Sequence, residues 1–421
     1  MQPKTPNRRP AGVFYGWWVV AGCAVINALG GGVHFYGFSV FFLPLKEDLH
    51  LSSAATALVF SLSRAEGAFE GPLAGYLIDR LGARVMLFAG AAVVAVGYVL
   101  LSQTNSFLGF VLVYLLVISL AFNMSFGSAT MAAATKWFVR RRGMALALVT
   151  AAFGVGGSVV TPVLSLLVRE VGWRTTAVIA GGAVAAVALP ASLLVRSSPE
   201  SMGLRPDGDG GLAKGTAEQQ EADFTLAAAL RTTAFWVLAL ATMLRIGVFG
   251  ALIVHFIPIM VWKGQDQGSA AFLLAALAFL GIPLRLLFGW LGDRWYKPSL
   301  IALGMGTVAA AMVILQYAQE TWQLWLFVVV MAVGEGITVL NWATLGDFFG
   351  RRNFATIRGT MGLIFTWGMV IMPVLVGFIF DRTQSYSAAI WLFAALGALA
   401  VVVWAVLRPP KPQPRSGPKA A

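Results

Sequence analysis

The sequence is short of charge. Only 11% of its 421 residues are Asp, Glu, Lys or Arg, against about a quarter in a soluble globular chain. Acidic residues are scarcer than basic ones, 18 against 30. Cysteine occurs once, as Cys23, which leaves no internal disulfide framework and no cysteine-rich metal site. The chain also lacks the His/Asp/Glu spacing of metal enzymes, a nucleophile elbow and a phosphate-binding loop, so no enzyme, metal or cofactor is expected. What fills it instead is apolar. Hydrophobic residues make up 58% and the mean hydropathy is +0.79, the mark of a polytopic membrane protein.

At about 20 apolar residues per span, twelve segments fit: 16–43, 53–78, 85–103, 106–133, 144–168, 174–196, 232–262, 268–291, 299–318, 321–346, 358–380 and 386–407. The first follows Lys4, Arg8 and Arg9 and is too long for a signal-peptide core, so it is expected to stay as a span. Between the sixth and seventh lies a polar stretch with Pro199, Pro206, Gly208, Gly210 and Gly211. It divides the chain into an N-terminal half (1–196), a linker (197–231) and a C-terminal half (232–421). With both termini in the cytoplasm, 22 Lys and Arg residues fall on the inner side and 5 on the outer, as the positive-inside rule requires. The net charge of +12 therefore reads as topology and contact with anionic lipid, not as a nucleic-acid footprint. A multi-pass protein of the plasma (inner) membrane is expected, functional as a monomer.

One charge has no cheap reason to be where it is. Arg285 stands inside the apolar run 270–291, where an arginine costs roughly 2.5–3.5 kcal/mol on insertion scales. Guanidinium does not escape by deprotonating. It is kept either by an internal ion pair or as a fixed cation for an anionic substrate, whose carboxylate its planar fork can grip.

The halves repeat each other. Gly75-Tyr76-Leu77-Ile78-Asp79-Arg80 returns 214 positions later as Gly289-Trp290-Leu291-Gly292-Asp293-Arg294, and Phe41-Phe42-Leu43-Pro44 returns as His255-Phe256-Ile257-Pro258. Trp137-Phe138 with Arg140-Arg141 matches Phe348-Phe349 with Arg351-Arg352 at an offset of 211. A six-span unit has been duplicated.

Gly75, Asp79, Arg80, Gly82 and Arg84 together resemble the loop motif between the second and third spans of the major facilitator superfamily. That resemblance covers the whole chain and implies an all-α fold of twelve transmembrane helices in two pseudo-symmetric six-helix bundles, with Asp293 and Arg294 as the repeat of the gating motif. Trp137-Phe138-Val139-Arg140-Arg141-Arg142-Gly143-Met144-Ala145-Leu146-Ala147 with Phe153-Gly154, and the opening Tyr15-Gly16-Trp17-Trp18-Val19-Val20, are similar to stretches of the monocarboxylate transporters. The opening is also similar to the oxalate/formate antiporters. Arg285 falls where the former family keeps its carboxylate-binding arginine. Two departures follow. The aspartate that mammalian members carry one turn earlier is Gly281 here, and their lysine late in the first span aligns with Tyr36. The antiporters' lysine of the eleventh span is missing too, since 359–380 holds no charge.

Remaining intramembrane polar residues are His34, Arg64, Glu66, Glu70, Asn123, Arg245, His255, Glu335 and Asn341. Such residues face the bundle interior or a wet cavity. Arg285 with Asn123, Tyr36 and Phe365 is the expected substrate site. Glu335, the Glu66–Glu70 pair and His255 are the proton-coupling candidates, although Glu66 and Glu70 could equally pair with Arg64 or Arg245. The function implied is alternating-access transport of a small monocarboxylate of the lactate or pyruvate type with a proton. Carboxylate exchange of the oxalate/formate kind and a non-transporting membrane sensor remain the alternatives.

Overall fold

The computed structural model describes residues 14–138, 141–208, 224–292, 294–350 and 354–410. Among them there are helices and no strand. The helices are α1 (Tyr15–Asp48), α2 (Ser53–Leu81), α3 (Ala83–Ser102), α4 (Phe107–Trp137), α5 and α6 (together Arg142–Leu194), α7 (Thr233–Trp262), α8 (Gln267–Gly292), α9 (Lys297–Tyr317), α10 (Thr321–Phe349), α11 (Phe354–Thr383) and α12 (Ser387–Val406). The continuous run Arg142–Leu194 is two helices because Gly172 sits at φ 78°, ψ 162°, a conformation that glycine alone adopts without strain. Among the described residues, ten helices are long and apolar enough to cross a membrane. Once the long one is divided at Gly172 and α2 is added, each of the twelve expected segments has its helix. α2 has the length, 29 residues, but Arg64, Glu66 and Glu70 lower its hydropathy.

The two stretches that carried the narrower resemblance are one structure. Trp17 packs on Phe138 in a tilted arrangement with ring centroids 4.6 Å apart, and Tyr15 meets Trp137 at 5.5 Å. Trp137 Nε1 donates to the Arg196 carbonyl at 2.8 Å. This aromatic knot binds the start of α1 to the end of α4 and of α6. Linker residues 209–223 lie outside the described set. Of the rest of the linker, Pro199–Met202 forms a 3₁₀ turn and Leu226–Leu230 a short helix.

Helices α1–α6 meet α7–α12 along three seams: α2 with α11, α8 with the α5–α6 pair, and α1 with α7. Among the described residues, several hydrogen bonds across the seams lie at the end remote from the chain termini, and prolines explain two of them. Pro44 and Pro258, which occupy matching positions of the repeat, have no N–H for the carbonyl four residues earlier. Those carbonyls belong to Val40 and Val254. Each is satisfied from the other set: Gln267 Nε2 donates to Val40 O at 3.1 Å, and Ser39 Oγ donates to Val254 O at 3.1 Å. Ser39 Oγ also accepts from Ile257 N at 3.2 Å. Nearby, the Asp381 carboxylate of α11 accepts from Ser53 N at 2.8 Å and Ala54 N at 2.9 Å. It caps α2, where a helix N-terminus favours an anion. Gly377 lets α11 approach so closely that a Cβ there would lie 2.6 Å from Ala54 N. At the same end Asp266 caps α8, and its bonds from Ser269 hold the carboxyl below the usual carboxylate range.

Candidate functional site

Arg285 leaves α8 toward α10 and forms an ion pair with Glu335, whose side chain is 5% exposed against 18% for the arginine. Fifty residues separate the two in sequence, so periodicity within one helix could not pair them. Gly281 explains how they fit. A Cβ at Gly281 would lie 2.8 Å from Glu335 Cγ, so an aspartate at that position would collide with the glutamate. The carboxylate expected on α8 has in effect moved to α10, into the space that glycine leaves.

The other walls come from the first six helices. A Cβ on Gly154 of α5 would lie 3.3 Å from Arg285 Nη1. Tyr36, buried at the end of a π-helical stretch Gly30–Tyr36, lies near Arg285. Its ring packs against Gly157 of α5, where a Cβ would come within 2.4 Å. Phe35 and Phe153 complete this wall, 5.2 Å apart between centroids. The ion pair thus sits where α1, α5, α8 and α10 converge, with glycines of α5 and α8 keeping the backbones close.

Asn123 and Phe365 make their contacts with other residues. Asn123 Nδ2 donates to Ser63 O at 3.3 Å and Ser119 Oγ at 3.2 Å, and the Ser63 and Ser119 hydroxyls are 2.7 Å apart. The group joins α4 to α2. Phe365 of α11 packs on Trp342 of α10 at 5.5 Å, beside Arg358, whose guanidinium lies 4.5 Å above that indole.

Of the proton candidates, Glu335 alone touches Arg285. Among the described residues, neither Glu70 oxygen nor Glu66 Oε2 has a hydrogen-bond partner, and no ion pair joins them to Arg64 or Arg245. Two such carboxylates in one neighbourhood do not both ionise readily. Arg245 is held instead by neutral groups, Asn341 Oδ1 at 3.4 Å and Thr338 Oγ1 at 3.2 Å. His255 is fully buried with both nitrogens engaged: Nε2 lies 2.9 Å from the Pro373 carbonyl and Nδ1 lies 3.3 Å from the Tyr386 hydroxyl. It stitches α7 to α11 and to the start of α12.

In the gating motif, Gly82 turns the chain from α2 to α3 at φ 85°, and a Cβ there would meet Ser197 Oγ at 2.4 Å. Arg80 donates to the Tyr76 hydroxyl at 2.9 Å, and Arg84 begins α3 half-buried. Arg294 lies 3.9 Å over the Trp290 ring. Asp293 and the side chains at Gly75 and Asp79 fall outside the described set.

Long apolar helices in two repeated six-helix sets, with a buried ion pair of the second set where the two sets meet, define a multi-pass membrane protein of transporter type. The Major Facilitator Superfamily model matches residues 20–346 and 256–421, and the chain belongs to that family. Among curated proteins it is 25% identical to human (Homo sapiens) monocarboxylate transporter 11 over 398 residues, covering 91% of this chain and 80% of that one. It is 24% identical to human monocarboxylate transporter 2 over 417 residues, 93% and 85% of the two chains. Similar solved structures are a bacterial homologue of the human lysosomal transporter Spinster in an inward-facing, occupied conformation and the nucleoside transporter NupG. The first has TM-score 0.69, 17% identity and covers 94% and 95% of the two chains. The second has TM-score 0.74, 13% identity and covers 94% and 100%. At those identities the solved structures speak for the fold.

Proposed function

We propose that this protein carries a small monocarboxylate of the lactate or pyruvate type across the plasma membrane together with a proton. Its termini would lie in the cytoplasm, and the remote end, closed in this structure, would face outward. The observation that carries the reading is the Arg285–Glu335 ion pair at the junction of the two helix sets. A substrate carboxylate competes with Glu335 for the same guanidinium fork. Once displaced, Glu335 is a carboxylate in a low-dielectric site without its cation, and such a group takes up a proton. The pair is neutral before loading. Arginine, substrate anion and protonated glutamate are neutral after it. Loading therefore leaves the local charge unchanged, which favours movement of the loaded carrier through the bilayer interior.

Glu335→Gln tests this arm. Reconstituted variant protein should still exchange internal for external pyruvate, yet fail to accumulate it when an inward proton gradient is imposed. Accumulation at the parent rate would remove Glu335 from the coupling and leave carboxylate exchange or another proton carrier.

A further inference from the structure

We propose that Arg64, on α2, is a second anion-binding residue of this carrier, taking the carboxylate of a small organic acid in the N-terminal helix set. The proposal rests on the carboxylate reading above and extends it to a residue outside the expected site. Three observations lead to it.

Among the described residues, Arg64 is a cation without an anion. Its Nε and Nη2 are buried and have no hydrogen-bond partner, whereas Arg285 has Glu335 and Arg245 has Asn341 and Thr338. The two carboxylates of the same helix point elsewhere. At 100° per residue, Glu66 and Glu70 stand about 200° and 240° further round the helix. Unmet N–H donors on a charge at membrane depth cost far more than a surface ion would.

The guanidinium is held in place by rings instead. It lies 4.6 Å from the centroids of both Phe35 and Phe60, a cation–π arrangement that fixes the plane and leaves the N–H edge free for a ligand. A second polar atom without a partner stands in the same cluster. His34 Nε2 is buried and unpartnered, while its Nδ1 lies 3.5 Å from the Tyr114 hydroxyl.

The cluster adjoins the Arg285 site. Phe35, which covers Arg64, also packs on Tyr36 and Phe153 at 5.2 Å, and these rings belong to the wall around Arg285. Arg64 itself is half-buried, not sealed. An incoming anion meets an uncompensated cation here, whereas at Arg285 it must displace Glu335. Each helix set thus supplies one arginine to the path.

The test is binding to the purified full-length protein, read by ligand-induced thermal stabilisation with pyruvate, L-lactate and acetate. Arg64→Gln, Arg64→Lys and Arg285→Gln are compared with the parent. The proposal expects Arg64→Gln to weaken pyruvate binding at least tenfold, with part of the affinity restored in Arg64→Lys. Without ligand, Arg64→Gln should melt no lower than the parent, because it removes an unpaired buried charge. A structural cation–π role predicts the reverse, a lower melting temperature with unchanged affinity, and that result overturns the proposal. So does full affinity in Arg64→Gln alongside lost binding in Arg285→Gln, which leaves the carboxylate reading standing. If none of the three acids stabilises the parent, both fall.

Discussion

At the scale of single residues, the account turns on a pair that only the fold brings together. Arg285 was legible in the sequence because a charge in an apolar run is conspicuous, and Glu335 was legible for the same reason. Their contact was not, since they lie on different helices. Gly281 held the missing clue as an absent side chain, which becomes meaningful when Glu335 is seen to fill its space. Arg285→Ala should strand a buried carboxylate and cost about 3–5 kcal/mol of stability. Arg285→Ala with Glu335→Gln should recover most of it, as thermal unfolding of the ligand-free variants would show. A swap probes the geometry further. Gly281→Asp alone should be inactive, because the new Cβ presses on Glu335. The double variant Gly281→Asp, Glu335→Gly returns the acid to α8 and should regain carboxylate uptake. If the double variant is no better than the single one, the acid's helix of origin matters and the explanation for Gly281 fails.

At the scale of elements, the helices themselves were readable from apolar runs, and the break at Gly172 matched the expected gap between the fifth and sixth segments. The repeat at offset 214 was readable too, but what its prolines do was not. Hydrogen bonding across the seam explains Pro44 and Pro258: each frees a carbonyl that the opposite set satisfies through Gln267 or Ser39. These bonds exist when the remote end is closed. Ser39→Ala and Gln267→Ala should each destabilise that closed state by about 1 kcal/mol and shift the population about fivefold toward the opposite opening. Asp381→Ala, which uncaps α2, should act in the same direction by about 0.5–2 kcal/mol. The rate of modification of a cysteine placed at Tyr36 by a reagent added outside reads the shift. Unchanged rates in all three variants would separate these contacts from gating. His255, by contrast, drew attention as a titratable group, and the fold shows it bonded through both nitrogens.

At the scale of the whole molecule, the proposed transport requires the two six-helix sets, which touch along three seams, to rock about the Arg285 site. Topology follows from charge placement, and the single native cysteine, buried in α1, makes it easy to test. A cysteine at Gln265, between α7 and α8, should react with an impermeant maleimide in intact cells. One at Ser201 should react after lysis. The opposite pattern would invert the orientation and with it the meaning of the closed end.

Uptake of labelled pyruvate into proteoliposomes under an imposed inward proton gradient tests the central claim most directly. The account predicts accumulation above equilibrium by the parent and none by Arg285→Ala, with the double variant Arg285→Ala, Glu335→Gln folded and equally inactive. Undiminished uptake by the folded double variant would contradict it.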